Sequence, residues 1–124
     1  MAGKRVLIVD DAVFQSELLK EVFENEFKGG IEVFIAQDYR SAEKIVFEKE
    51  ISLILVDYLL GAAGTGAELK QIIDQNYDGQ IIWVLMSALD IDALREQHSG
   101  AGFFGFVHKS DYNEITQEIK RIFF

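Results

Sequence analysis

Five short apolar runs punctuate the chain, at residues 6–9, 31–36, 51–56, 81–86 and 103–107. Four are almost continuously apolar, the pattern of parallel strands covered on both faces. The run 31–36 instead sets Glu32 in an alternation, which predicts an edge strand. Between the runs, apolar residues recur at helical spacing. The first such stretch has Val13, Leu18 and Val22 beside Phe14, Leu19, Phe23 and Phe27. Later ones have Ala42, Ile45 and Val46; Leu69, Ile72 and Ile73; Ile91 and Leu94; and Ile115, Ile119 and Ile122. Every strand therefore precedes a helix. Asp11, Asp38 and Asp90 are candidate N-caps, and Asp111 with Glu114 three residues on has the form of a capping box. Stops fall at Gly29–Gly30, Gly79 and Gly100.

A strict (βα)5 alternation predicts an α/β fold with a parallel sheet and right-handed crossovers, because parallel neighbours must be joined across a sheet face. The 124 residues suit one domain spanning 1–124, uninterrupted by repeats, linkers or low-complexity tracts. Proline is absent altogether.

In such sheets ligands sit beyond the carboxyl ends of the strands. The expected first strand ends in Asp10 and Asp11, the third in Asp57, the fourth in Ser87 and the fifth in His108 and Lys109. Adjacent carboxylates at the rim of an apolar core repel one another and lose solvation, so they demand a cation. Three converging carboxylates make a hard-oxygen site suited to Mg²⁺, or to Mn²⁺. Beside such an ion a lysine can act as a point charge on a phosphoryl oxygen, a serine hydroxyl can donate to another, and an aspartate can attack phosphorus.

With 21 acidic against 12 basic residues, the formal charge of −9 disfavours direct nucleic-acid binding. No cysteine is present, which removes disulfides and thiolate metal sites. The apolar run near the N-terminus is too short for a signal peptide or a membrane span, so a cytoplasmic protein is the expectation.

The "VDD" after strand one, "LVDYLL" at strand three, "MSA" at strand four and "GFVHK" at strand five resemble the receiver domain of bacterial two-component signalling, over essentially the whole chain. The resemblance implies a flavodoxin-like (βα)5 sandwich with strand order 2-1-3-4-5. It implies that Asp57 accepts the phosphoryl group, that Asp10, Asp11, Asp57 and the backbone carbonyl of Leu59 hold the metal, and that Lys109 and Ser87 grip the phosphate. It further implies a switch in which Ser87 and Phe106 move and alter the face made by helix four, strand five and helix five. The partners implied are a sensor histidine kinase or histidine phosphotransfer protein and a downstream protein target, with a homodimer possible. Catalysis would be confined to the domain's own phosphorylation and dephosphorylation.

Each of these residues alone has a blander reading: Asp11 and Ser87 as helix caps, Asp57 as a solvated loop acid, Lys109 as a surface charge. Their joint placement at successive strand ends reverses that balance. The competing function is a protein-interaction module of the same fold, regulated without phosphorylation. A metal-dependent phosphatase lacks its second acid, since Leu59 stands there, and a flavin site would meet an acidic loop. "GAAGTG", residues 61–66, lacks the Lys-Ser/Thr ending of a P-loop and reads as a flexible loop flanking the site. His98 and His108 lack companion ligands and read as partly exposed; Trp83 reads as core. Strand five reads as internal to the packing, and among the C-terminal aromatics Phe106 and one terminal phenylalanine are expected at the surface as partner contacts.

Three departures from the resemblance stand out. Ser110 occupies the position of the usual proline after the lysine, Phe106 that of a frequent tyrosine, and Leu59 that of a commonly polar residue. A trans Lys109–Ser110 peptide and a long-lived phosphoryl state are the expectations.

Overall fold

The computed structural model describes residues 4–124. Five parallel strands, β1 (Lys4–Val9), β2 (Ile31–Ala36), β3 (Leu53–Asp57), β4 (Ile82–Ser87) and β5 (Gly105–His108), form one sheet in the order β2-β1-β3-β4-β5. They alternate with α1 (Val13–Phe27), α2 (Tyr39–Lys49), α3 (Gly66–Asn76), α4 (Ile91–Gln97) and α5 (Tyr112–Phe123). This is the flavodoxin-like receiver architecture.

The near-continuous apolar strands follow from a core on each side of the sheet. Successive side chains along a strand point to opposite faces. Leu7, Val9, Ile54, Val56, Trp83 and Leu85 pack with Ala42, Val46, Leu69 and Ile73 of α2 and α3. Val6, Ile8, Leu53, Leu55, Val84, Met86 and Val107 pack with Leu19, Phe23, Ile115 and Ile119 of α1 and α5. Trp83 is core, as expected. Burying each such aliphatic side chain stabilises the fold by about 1.5–3 kcal/mol, and conformational entropy offsets most of the sum.

β2 pairs only with β1 and is an edge, in keeping with Glu32. β5 is the other edge of the sheet, as the order 2-1-3-4-5 implied, and its side chains are nonetheless internal to the packing. Its apolar residues reflect the cover of α4 and α5, and its length of four residues limits the exposed ladder. Phe103 and Phe104 precede the strand rather than opening it, and Phe104 is exposed.

The helix starts at Asp38, Asp90 and Asp111 hold: each side chain accepts a backbone N–H of its own first turn. Asp11 is not a cap. Ala12 takes that position without a side-chain bond, and the Asp11 carboxylate caps no N–H of α1 among the described residues. The buried residues of α1 are Ser16, Leu19 and Phe23, so Val13 and Phe14 face solvent despite their apolar character. Among the described residues no helix is long and apolar enough to cross a membrane.

Candidate functional site

The β1–β3 pairing aligns Val9 with Val56, which brings Asp10 and Asp57 to the same level at the carboxyl edge of adjacent strands. Both are nearly buried, at 1% and 5% exposure, while Asp11 faces solvent. One carboxylate oxygen from each of the three lies within 4.8 Å of the others. Lys109, one residue beyond β5, reaches across to them. Its Nζ donates to Asp10 Oδ1 at 3.1 Å and to Asp57 Oδ2 at 2.9 Å, and lies 2.9 Å from Asp10 Oδ2 as an ion pair. Asp10 Oδ1 also accepts the Ala12 N–H at 2.9 Å, which orients the carboxylate.

Asp10 and Asp57 thus share one ammonium, with the Asp11 carboxylate beside them. Burial pushes the Asp57 carboxyl up to about 6, the Lys109 ammonium opposes that rise, and the Asp10 charge adds to it. Lys109 is held above its ordinary value: burial favours losing the proton, but the bonds to Asp10 and Asp57 outweigh it. A hard-oxygen donor set with excess negative charge and one solvent-facing member fits a divalent cation such as Mg²⁺.

The loop after β3 is shaped around the acids. Tyr58 N–H donates to Met86 O and Gly66 N–H to Tyr58 O, each at 2.8 Å. Leu59, half exposed, pairs antiparallel with Thr65. Gly61 has φ +63°, and a Cβ there would sit 2.8 Å from Asp11 Oδ2. A Cβ on Gly66 would fall 2.5 Å from the Asp57 carbonyl oxygen. The stretch read as a flexible loop therefore contains a 3-10 turn (Gly61–Ala63) followed by a full capping box, in which Thr65 and Glu68 satisfy each other's backbone N–H groups. Gly61 and Gly66 belong to the site through close approach, a role that "GAAGTG" signalled without specifying.

Ser87 lies on the same edge, opposite His108 in the β4–β5 register. Its Oγ accepts the Leu89 N–H at 3.0 Å and makes no hydrogen bond to the acids or to Lys109 among the described residues. Phe106 is buried, contrary to its expected role as an exposed contact. Its ring packs against Phe103 at 5.6 Å and lies under the Arg95 guanidinium at 5.9 Å, because its side of β5 faces the α3–α4 core. Phe124 is exposed and stacked on Phe27, as expected of a terminal phenylalanine. His98 and His108 are partly buried. The Lys109–Ser110 peptide is trans. A surface cleft of about 680 Å³ opens at the opposite edge among Lys4, Ile51, Tyr77 and Phe123, away from the acids, so concavity alone would misplace the chemistry.

A doubly wound sheet with an acid triad and a lysine at its carboxyl edge defines an acidic pocket suited to a divalent cation on an α/β scaffold. Residues 6–120 match the family model of the response regulator receiver domain, and the chain belongs to that family. It is similar to the response regulator protein TrrA from Thermotoga maritima, solved in complex with Mg(2+)-BeF, with 27% identity over 96% of this chain and 98% of that one and a TM-score of 0.80. A two-component response regulator of the LuxR family from Aurantimonas sp. SI85-9A1 is 26% identical over 98% of this chain and 86% of that one, with a TM-score of 0.84. A CheY-like receiver domain protein from Methanospirillum hungatei shares the fold, at 23% identity over 98% of this chain and 94% of that one, with a TM-score of 0.82. A search of curated protein sequences finds no match.

Proposed function

We propose that this chain is a phosphoacceptor switch. Asp57 receives a phosphoryl group from a phosphohistidine on a sensor histidine kinase or a histidine phosphotransfer protein. The observation that carries the reading is the gathering of Asp10, Asp11 and Asp57 at one sheet edge, with the Lys109 ammonium held on Asp10 and Asp57. Membership of the receiver family supports it.

Asp10, Asp11, Asp57 and the Leu59 carbonyl would hold Mg²⁺ or Mn²⁺. When bound, such an ion neutralises charge on the carboxylates and on phosphoryl oxygens. The chain's own residues carry the rest. An Asp57 carboxylate oxygen attacks phosphorus, the P–N bond breaks, the imidazole leaves with the electron pair, and an aspartyl phosphate remains. Lys109, already 2.9 Å from Asp57, transfers its charge to a phosphoryl oxygen. Ser87 accepts from Leu89, so its own O–H is free to donate to the new phosphate. Drawing Ser87 inward pulls on the β4–α4 loop, and the repacking reaches Phe106 and the face of α4, β5 and α5 that a downstream protein reads. The acidic surface directs the output toward proteins rather than nucleic acid. Location in the cytoplasm, where such kinases present phosphohistidine, completes the proposal.

The test is incubation with Mg²⁺ and acetyl phosphate, followed by intact-mass measurement. Wild type gains one base-labile phosphate, and Asp57→Asn gains none. A wild-type protein that stays unmodified, or an Asp57→Asn variant labelled to the same extent, refutes the proposal.

A further inference from the structure

Lys109 sits in a tight turn. Its backbone N–H donates to Ser87 O at 2.9 Å, and the Asp111 N–H donates to His108 O at 3.0 Å, closing the chain over Lys109 and Ser110. A second closure lies inside the first. The Ser110 N–H lies 3.2 Å from His108 Nδ1, and Ser110 Oγ lies 2.8 Å from the same atom. A backbone N–H can only donate, so Nδ1 presents its lone pair, the ring proton is on Nε2, and the Ser110 hydroxyl donates as well. Two donors from one residue therefore converge on one acceptor two positions earlier, with Lys109 between them.

From this geometry we propose that His108 and Ser110 form a side-chain clamp that positions Lys109 for its contacts with Asp10 and Asp57. The inference rests on the phosphoacceptor reading for its functional consequence. A lysine stem has four rotatable bonds and loses considerable freedom when its ammonium is fixed on two carboxylates. Fixing the backbone from which the stem departs reduces what remains to be ordered. Among the described residues, neither His108 nor Ser110 bonds to the acids or to the Lys109 ammonium, so both act through the backbone on either side of Lys109 and are positioning residues.

The clamp has two consequences of opposite sign. The Lys109 ammonium occupies Asp10 and Asp57, so it competes with a divalent cation for those oxygens; releasing it strengthens cation binding. The same ammonium serves the incoming phosphoryl group, so releasing it slows phosphoryl uptake. A general loosening of the fold would weaken both.

The experiment uses the full chain as wild type, His108→Leu, His108→Asn and Ser110→Ala. The Asn side chain offers an oxygen acceptor close to the position of Nδ1, whereas Leu offers none. Calorimetric titration with MgCl₂, phosphoryl uptake from acetyl phosphate and thermal melting are measured on each. His108→Leu is expected to bind Mg²⁺ about threefold more tightly and take up phosphoryl about tenfold more slowly, consistent with the loss of hydrogen bonds of ordinary strength. His108→Asn stays within about twofold of wild type in both. Ser110→Ala, altered only at an exposed hydroxyl, shifts in the same directions by a smaller factor and guards against a His108→Leu protein that fails to fold. The clamp is overturned if His108→Leu and Ser110→Ala match wild type, or if His108→Asn is as impaired as His108→Leu. Should wild type take up no phosphoryl group, the phosphoacceptor reading fails by itself. The Mg²⁺ titration then decides the clamp, with tighter binding in His108→Leu supporting it and unchanged binding refuting it.

Discussion

Asp57 is the residue whose environment makes the strongest quantitative demand. Its carboxyl is buried on folding and raised from 3.8 to about 6, chiefly by desolvation. A carboxyl raised in the native state makes the folded protein bind the proton more tightly than the unfolded chain does. Its contribution to stability is fully present below about 4 and is lost as pH rises through about 6. Moving a carboxyl between those values corresponds to about 3 kcal/mol. The perturbation is therefore a change of pH from 7.5 to 5 in metal-free buffer, applied to wild type and to Asp57→Asn, which is neutral throughout. Urea unfolding at each pH reads the difference between the two proteins, cancelling the titration of other groups. Wild type should gain about 1–1.5 kcal/mol relative to Asp57→Asn on acidification, with the gain setting in near 6. Millimolar Mg²⁺ should flatten the curve, because a cation on the carboxylates favours their ionised forms. A difference that stays level across this range, or that falls as the pH falls, would refute the assignment of Asp57 as a buried acid under desolvation strain.

The remaining predictions address the loop around the acids. Gly66→Ala places a Cβ 2.5 Å from the Asp57 carbonyl and 2.8 Å from a Val56 methyl, and should cost about 1–3 kcal/mol in chemical denaturation; a loss under about 0.5 kcal/mol would mean the loop gives way freely. Thr65→Ala removes the capping box of α3 and should cost about 1 kcal/mol, measured the same way. Leu59→Asn replaces a half-exposed alkyl group near Asp57 with one that can orient water, and should shorten the lifetime of the aspartyl phosphate about threefold or more. Following loss of the phosphate by intact mass tests this, and an unchanged decay would remove Leu59 from any role in lifetime.

Much of this molecule is legible in local pattern. Hydrophobic runs locate five strands to within about two residues because burial on both sheet faces leaves no polar alternation to confuse them. Runs mark burial rather than ladder pairing, however. Ile51 is buried before β3 begins, and Phe103 packs beside β5 without joining it. Phe14 illustrates the limit of periodicity: it fits an apolar helical row, yet the rotation of α1 turns Ser16, Leu19 and Phe23 inward and leaves Phe14 in water.

The same boundary divides the site. Asp10, Asp11, Asp57 and Lys109 could be placed on one edge from sequence, since residues at the carboxyl ends of parallel strands share that edge whatever the details. Their separations could not be read this way. The distance from Lys109 to two carboxylates depends on strand order, which the resemblance implied, and on register, which side-chain packing across both faces sets. Composition and alternation are properties of short stretches, and they determined the elements, the two-sided core and the acidic edge. Only tertiary structure decided that Phe106 turns inward, that Asp11 is released from capping, and that Gly61 and Gly66 make room for the acids. Each of those outcomes depends on atoms brought together from distant segments or on the rotation of an element against its neighbours, which no local pattern encodes.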